Sequence, residues 1–275
     1  MDAVGATSKM TAAARAREGA RDDRLFEDPW AATLAGEEGF AFLDAQDATF
    51  PGGRSPQSFV VRHRFFDDYL LSQASAGLRQ VVLVAAGLDT RAFRLAWPPG
   101  IRVFELDQPA VLAYKDKLLA DVGAIARCER RTVAVDLRED WPAELIGAGF
   151  SPTEPAVWLA EGLLFYLPEE AVHALLSAMA ELSLPGSALG TDTMSAATLA
   201  HESRRGWVRL YADAGAPFIF GVDEPGELLV ARGWQPTLSF YPEVSQQLGR
   251  AWQSPLPTGP QSAIITATRM APSAQ

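Results

Sequence analysis

The sequence predicts an α/β fold: a doubly wound, mostly parallel sheet with helices on both faces. Short β-branched runs alternate with longer helical patterns along the chain. Several of the helical patterns have a proline near their first turn, where its missing amide is harmless. The chain has 275 residues, 48% of them hydrophobic and 21% charged, and can therefore bury a large core. We expect residues 1–275 to form a single domain without internal repeats.

Residues 1–75 are expected to form an N-terminal helical cap. Apolar residues recur at helical intervals over Thr7–Leu34, and Pro29 is expected to start or kink a second helical piece there. Prolines and glycines over Gln46–Gln57 predict a loop. Helical spacing returns over Phe59–Ser75, so a helix is expected to lead directly into the central part of the chain.

Residues 76–192 are expected to form a core of strands joined by crossover helices. The predicted strands are Val81–Val84, Arg102–Leu106, Thr132–Val135, Val157–Ala160 and Ala188–Thr191. The predicted helices between them are Asp89–Leu95, Pro109–Asp121, Pro142–Gly147 and Pro168–Leu182. This alternation is what predicts a parallel sheet.

The remaining residues are expected to form a lid or substrate region over 193–235 and C-terminal strands over 236–275. The predicted lid helices are Ala196–Leu210 and Glu224–Arg232, with Gly233 as the stop of the second. The predicted late strands are Thr237–Tyr241 and Ala263–Thr268. Because they follow the parallel strands at the end of the chain, we expect them to close the sheet in antiparallel fashion.

Composition and charge exclude several classes of function. A net charge of −10 and a pI near 4.8 argue against a nucleic-acid partner, which requires a basic face. No apolar stretch is long enough to cross a membrane, and we expect a soluble, cytoplasmic protein. The single Cys128 and three scattered histidines predict no disulfide and no metal site. A small-molecule substrate is therefore expected, and the oligomeric state is not predicted.

The segment Val81–Leu95 is an apolar strand that runs into a turn of small residues and then a helix. Ligands of doubly wound sheets bind outside the carboxyl ends of the strands, and Ala85 and Gly87 would leave room for one there. Because Gly87 stands alone, the turn lacks the second and third glycines of the dinucleotide fingerprint. By itself, the turn is as consistent with close packing of the chain as with a ligand-binding site.

The next predicted strand ends carry carboxylates. Asp107 lies where it can accept hydrogen bonds from the ribose hydroxyls of an adenosine-containing ligand. Asp136 can hold an adenine amino group, or it can cap a helix or form a turn. Glu161 lies in an apolar stretch and needs either a cationic ligand or a salt bridge to a distant arginine. Arg62 can bind a ligand carboxylate or remain a surface arginine.

Ordered motifs run along most of the chain. They are Thr11–Glu18, Arg62–Asp68, Ala85–Leu95, Phe104–Pro109 with Lys115, Val135–Arg138, Ala160–Leu167, Phe220–Asp223 and Gly233–Trp234. Together they resemble the leucine carboxyl methyltransferase family, in particular its bacterial branch of S-adenosylmethionine-dependent O-methyltransferases, which includes polyketide O-methyltransferases. Several motifs at matched intervals make this resemblance specific.

The resemblance implies the class I methyltransferase sheet with extra N-terminal helices and a helical lid. It also implies that the core over residues 76–192 binds S-adenosyl-L-methionine. The turn Ala85–Gly87 would pack under the methionine part of that cofactor, and Asp107 would bind its ribose. The family usually has glycine where this sequence has Ala85, so tighter packing is expected at the turn.

The other implied contacts lie at both ends of the cofactor. Asp136 and the backbone of Leu137 would hold the adenine. Glu161 would take the ammonium group of the methionine moiety, and Arg62 would take its carboxylate. The family's common Arg-Thr pair is replaced here by Arg62 and His63.

The implied reaction is in-line displacement of a methyl group from a sulfonium by an acceptor oxygen. A carboxylate acceptor is already ionised at neutral pH, so alignment and partial desolvation suffice. A phenol or alcohol would need a base. The candidate bases are His201, Tyr166 and His63. We expect the acceptor to be the carboxylate or another acidic oxygen of a small secondary metabolite such as a polyketide.

Side chains of the lid region are candidates to bind this acceptor. Arg204 could neutralise an acidic group, and Trp207 and Tyr211 could wall an apolar pocket. The alternative is a lid helix with solvated charges and ordinary core aromatics. Two other functions stay open from the sequence alone: a nicotinamide-dependent oxidoreductase, which the missing glycines disfavour, and a non-catalytic protein that binds the cofactor.

Overall fold

The computed structural model describes residues 3–50, 53, 57–251 and 261–271. Within them, seven strands form one sheet in the order β3-β2-β1-β4-β5-β7-β6. The strands are β1 (Gln80–Val84), β2 (Arg102–Asp107), β3 (Glu129–Ala134), β4 (Ala156–Ala160), β5 (Ala188–Thr193), β6 (Trp234–Phe240) and β7 (Ala263–Arg269). Each corresponds to a strand predicted from the sequence.

Strands β1 to β5 run parallel, and β7 is antiparallel to both of its neighbours, β5 and β6. The predicted fold class is therefore confirmed. The chain passes from β1 to β2 on one side and places β4 on the other, so the strand order reverses beside β1. Such a switch point opens a crevice at the carboxyl ends of the strands. Val84 pairs with Leu106, and Asp107 with Ala134, so these ends lie at one edge of the sheet.

The helices cover both faces of the sheet. They are α1 (Ala3–Gly19), α2 (Ala31–Ala48), α3 (Ser58–Ser75), α4 (Arg91–Arg94), α5 (Pro109–Asp121), α6 (Trp141–Gly147), α7 (Glu169–Glu181), α8 (Ala196–Ala200), α9 (Arg205–Asp213), α10 (Pro225–Val230) and α11 (Tyr241–Gln247). Alternate residues of β1 face opposite sides: Val81 and Leu83 pack with α1, α2 and α3, while Val82 and Val84 pack with α6 and α7. No described helix is long and apolar enough to cross a membrane.

Three predicted elements differ in the structure. Helix α2 continues to Ala48, into the predicted loop Gln46–Gln57, because the buried Gln46 accepts a hydrogen bond from the Tyr211 hydroxyl at 2.5 Å. The rest of that loop lies largely outside the described residues. Tyr241 begins helix α11, with Pro242 in its first turn, instead of ending a strand. The predicted lid helix is interrupted at His201, whose side chain caps a short 3-10 helix, Glu202–Arg204.

Helix α1 is fixed across α2 and over the turn that follows β1. A Cβ at Gly39 of α2 would lie 2.5 Å from the carbonyl oxygen of Lys9, so the two backbones cross in close contact. Arg15 of α1 donates to the carbonyl of Leu88 at 2.6 Å and to Asp28 at 2.8 Å. The N-terminal helices therefore form one wall of the crevice.

Candidate functional site

A cavity of about 540 Å³ lies at the carboxyl ends of β1, β2 and β4, with walls from α1 and α3. This volume falls in the range of small-molecule sites, about 300–1,000 Å³. All the residues predicted to bind the cofactor line it: Arg62, Ala85, Gly87, Asp107, Asp136, Leu137 and Glu161. The structure thus brings together residues from five separate segments of the chain.

The turn after β1 has an unusual backbone. Ala85 has φ +53°, and it is the one non-glycine residue with a positive φ in the part of the chain that the structure describes. This region favours glycine, since a Cβ there clashes with the following carbonyl. Gly87 also has a positive φ, +50°, and a Cβ on it would lie 3.1 Å from the Cβ of Ser8. The turn is therefore both strained at Ala85 and closely covered by α1.

Asp107 holds this turn in place. Its Oδ2 accepts a hydrogen bond from the backbone amide of Gly87 at 2.6 Å, and its Oδ1 accepts one from the backbone amide of Gln108 at 2.7 Å. The Asp107 side chain is buried yet lines the cavity. The same carboxylate therefore shapes the turn and faces the space where a ligand would lie.

Asp136 lies at the rim of the cavity, just after β3. Its Oδ1 accepts the amide of Arg138 at 2.9 Å, and its Oδ2 lies 2.6 Å from the Arg138 guanidinium. The hydrogen bond from Arg138 lowers the pKa of Asp136. Asp136 thus forms a turn, one of the alternatives open from the sequence, while Leu137 beside it lines the cavity.

Glu161 has arginine partners that are distant in sequence. Its carboxylate lies 3.0 Å from Nε of Arg62 and 2.8 Å from Nη1 of Arg91. Burial would raise the pKa of Glu161, but the charges of Arg91 and Arg62 outweigh it and hold that pKa well below the usual range. Glu161 therefore forms salt bridges to distant arginines, one of the two alternatives open from the sequence. Its side chain is 13% exposed and still lines the cavity.

Arg62 is buried rather than at the surface. Besides Glu161 it binds Oδ2 of Asp192 at 2.6 Å, and it lines the large cavity and a second, smaller one. Sequence reasoning missed Asp192, which also accepts the amide of Gly162 at 2.7 Å. Burial raises the pKa of Asp192 although Arg62 opposes the shift. The sequence did contain a signal for Asp192, because this residue follows a predicted strand directly, as Asp107 does.

A buried charge network around Arg91 was also missed. The Arg91 guanidinium lies 2.7 Å from Asp67, 2.5 Å from Asp89, 2.8 Å from Glu161 and 2.8 Å from Nδ1 of His63. Nε2 of His63 faces Arg94 at 2.6 Å. Burial, reinforced by Arg91, lowers the pKa of His63, so its ring is neutral and engaged on both sides. Both arginines lie in the motif Ala85–Leu95, and this position is the signal that could have indicated them.

One group of side chains in this network has the composition of a metal site. Ligand atoms of His63, Asp89 and Glu161 all lie within 4.8 Å of one another. Arg91 contacts all three, so its guanidinium takes the place that a cation would occupy. The guanidinium of Arg91 therefore balances the negative charge of Asp89 and Glu161.

The second cavity, of about 90 Å³, adjoins the first. The residues that line both are Phe59, Arg62, Phe165 and Tyr166. The predicted acceptor-binding residues Arg204, Trp207 and Tyr211 line the smaller cavity. Its aromatic wall includes Phe218, which packs on Trp207 at 4.5 Å and on Tyr211 at 4.6 Å between ring centroids. We call this smaller space the aromatic pocket.

The two predicted catalytic residues are placed differently. Tyr166 lies where the cavities meet, and burial raises its pKa well above the ordinary value, so its hydroxyl stays protonated at neutral pH. His201 lines neither cavity, and its Nδ1 lies 2.8 Å from the Ser203 hydroxyl. The cap that interrupts the lid helix uses the ring of His201, so the structure does not bring it to Tyr166.

Comparison with known proteins agrees with this geometry. The family model for leucine carboxyl methyltransferase matches residues 8–180. A Mycolicibacterium smegmatis protein named "Putative S-adenosyl-L-methionine-dependent methyltransferase" is 41% identical, over 97% of this chain and 95% of its own. A Saccharopolyspora erythraea protein of the same name is 42% identical, over 84% of this chain and 83% of its own.

Two solved structures share the fold. A Thermobifida fusca protein, described as a putative methyltransferase, has a TM-score of 0.63 at 17% identity and covers 94% of both chains. A DUF574 family protein from Streptomyces avermitilis has a TM-score of 0.65 at 16% identity, over 96% of this chain and 97% of its own. At such low identity these likenesses concern the fold alone.

Proposed function

The chain belongs to the leucine carboxyl methyltransferase family and is an S-adenosylmethionine-dependent methyltransferase, and from this we propose that it methylates an acidic oxygen of a small molecule. The acceptor oxygen is that of a carboxylate, and the acceptor is a secondary metabolite such as a polyketide. The single Cys128 fits the reducing cytoplasm, where we propose that the enzyme works.

The larger cavity suits the cofactor in size and in chemistry. We assign the backbone of Ala85–Gly87 to the methionine part, Asp107 to the ribose, and Asp136 with Leu137 to the adenine. Glu161, exposed to the cavity and flanked by arginines, would take the ammonium group. Arg62 would offer the cofactor carboxylate the donors that Glu161 and Asp192 leave over. When bound, S-adenosylmethionine supplies an electrophilic methyl group on a sulfonium.

One observation carries the choice of a carboxylate: among the described residues, the aromatic pocket has no unengaged base. His201 does not line it, and burial keeps Tyr166 and Tyr211 protonated at neutral pH by raising their pKa values. The Asp192 carboxylate is held by Arg62 and by the amide of Gly162. A carboxylate acceptor is already ionised and needs none of them, so positioning and desolvation carry the reaction.

The test is the chemistry of the methylated product. The protein is incubated with tritiated S-adenosylmethionine and a panel of carboxylic acids, beside phenols of the same size. We expect label in a product that mild alkali hydrolyses to methanol, as a methyl ester does. Label that resists alkali, as in a methyl ether, would contradict the carboxylate assignment. Calorimetry with S-adenosylhomocysteine, and with NADH as a control nucleotide, checks the cofactor site independently.

A further inference from the structure

Arg204 is a buried cation in the wall of the aromatic pocket. It is 8% exposed and lines this pocket but not the larger cavity. Its guanidinium lies 4.8 Å from the ring centre of Phe50 and 5.7 Å from that of Trp207. Cation–π contacts of this kind offset only part of the cost of burying a charge.

No carboxylate in the described part of the chain neutralises Arg204. It forms no ion pair there, and its Nε is buried without a hydrogen-bond partner. Burial lowers the pKa of Arg204 to about 10, so the side chain still carries its positive charge at neutral pH. The other buried arginines that line the cavities all hold carboxylates: Arg15 pairs with Asp28, and Arg62 and Arg91 each pair with two or more. Among the described residues, Arg204 is therefore the buried arginine of the two cavities that holds no carboxylate.

Aromatic rings separate Arg204 from the point where the two cavities meet. Tyr166 lies where the two cavities meet, and its ring stacks with Phe218 at 5.3 Å. Phe218 in turn packs on Trp207, the ring beside which Arg204 lies. The rings thus lead from the meeting point of the cavities, through an apolar middle, to a cation.

We infer that the acceptor carries a second carboxylate, one that is not methylated, and that Arg204 binds it. This inference rests on the proposed function, because it assumes that the methylated oxygen lies at the meeting point of the two cavities. The acceptor then has an anion at each end and an apolar body between the aromatic rings. The pocket, at about 90 Å³, is smaller than the cavity of about 150 Å³ that binds benzene, so this body is narrow.

The experiment measures binding of straight-chain dicarboxylates by calorimetry. The full-length protein is first saturated with S-adenosylhomocysteine, and acids of four to ten carbons are titrated beside the monocarboxylate of each length. We expect one dicarboxylate length to bind about thirtyfold more tightly than its monocarboxylate, since a buried arginine gains its ion partner. Equal affinities of the two series, or no binding by either, would overturn the inference.

Variants of two adjacent arginines sharpen the result. Arg204→Gln should remove the preference for the dicarboxylate, and Arg204→Lys should restore part of it because it keeps a cation. Arg205→Gln is the matched control, since Arg205 is exposed and pairs with Glu202. A preference that persists in Arg204→Gln would assign the second carboxylate to another residue and overturn the inference.

The readouts separate this inference from the function on which it rests. Failure of S-adenosylhomocysteine to bind, or alkali-resistant product, would count against the proposed function. Binding of S-adenosylhomocysteine with methyl ester formation, and no preference for dicarboxylates, would count against the role of Arg204 alone. Each variant is accepted only if it binds S-adenosylhomocysteine as the unchanged protein does.

Discussion

Nε of Arg62 lies 3.0 Å from Oε1 of Glu161, although 99 residues separate the two in the chain. The second oxygen of the Glu161 carboxylate binds Arg91, and the Arg62 guanidinium also binds Asp192. Opposite charges therefore alternate from Asp192 through Arg62 and Glu161 to Arg91. This row lies along both cavities, so its residues are expected to support the fold and the site together.

Glu161→Gln is expected to destabilise the protein by about 3–5 kcal/mol at neutral pH. The substitution keeps the shape of the side chain but leaves Arg62 and Arg91 with less negative charge in a buried place. Urea unfolding with the midpoint and slope fitted together gives the change in free energy of unfolding. A change below about 0.5 kcal/mol, typical of surface substitutions, would contradict a structural role for the row.

The effect of Glu161→Gln should depend on pH. The folded protein holds the pKa of Glu161 well below its ordinary value, so this carboxylate stabilises the fold fully above the unfolded pKa of about 4.3. That contribution is lost as the pH falls through the lower, folded-state pKa. The difference in stability between the unchanged protein and the variant should be constant from pH 6 to 7 and shrink below about pH 4. A difference that grew on acidification would have the wrong sign.

Ala85→Gly is expected to stabilise the turn or leave it unchanged. Ala85 has φ +53°, a conformation that costs a residue with a Cβ roughly 1–2 kcal/mol. Glycine relieves this strain but adds freedom to the unfolded chain, about 0.5–1 kcal/mol, so the net gain is about 1.5 kcal/mol at most. Thermal unfolding measures it, with Ala86→Gly as the control, because Ala86 has no positive φ to relieve and should only lose stability.

The central strands of the fold were predictable because each is a short run of apolar residues. Val81–Val84 and Val157–Ala160 are short runs buried on both faces, as parallel strands between helices are. Helix α11 could not be predicted in this way. Tyr241 follows strand β6 directly, and its aromatic ring extends the strand pattern, whereas Pro242 in fact opens a helix.

The candidate site was partly predictable for a related reason. Asp107 and Glu161 lie at strand ends, which a parallel sheet brings to one edge. Their partners could not be read from spacing, since Arg62 and Arg91 reach Glu161 from α3 and α4 only when the chain is folded. The position of His201 was not predictable. Helical periodicity predicts it inside a lid helix, but its side chain caps the short 3-10 helix that follows and so interrupts the predicted one.

Asp107→Ala is expected to weaken S-adenosylhomocysteine binding by about 1–3 kcal/mol, through loss of charge-assisted hydrogen bonds to the ribose. The structure adds a second cause, because the amide of Gly87 would lose its acceptor and the turn its anchor. Calorimetry gives the affinity. Asp136→Ala, at a more exposed position, is the comparison and should have the smaller effect. Unchanged affinity in Asp107→Ala would place the ribose elsewhere.

His201→Ala is expected to leave methyl transfer to a carboxylate within about tenfold of the unchanged rate, whereas loss of a general base costs about 10²–10⁴. The reason is geometric: His201 lines neither cavity, and its ring is engaged with Ser203. Tyr166→Phe should likewise keep most of the activity, because burial holds this hydroxyl protonated and it cannot act as a base at neutral pH. Single-turnover rates with saturating S-adenosylmethionine measure both variants on the methyl-transfer step. A hundredfold loss in His201→Ala, with cofactor binding intact, would require the lid to carry this histidine into the site.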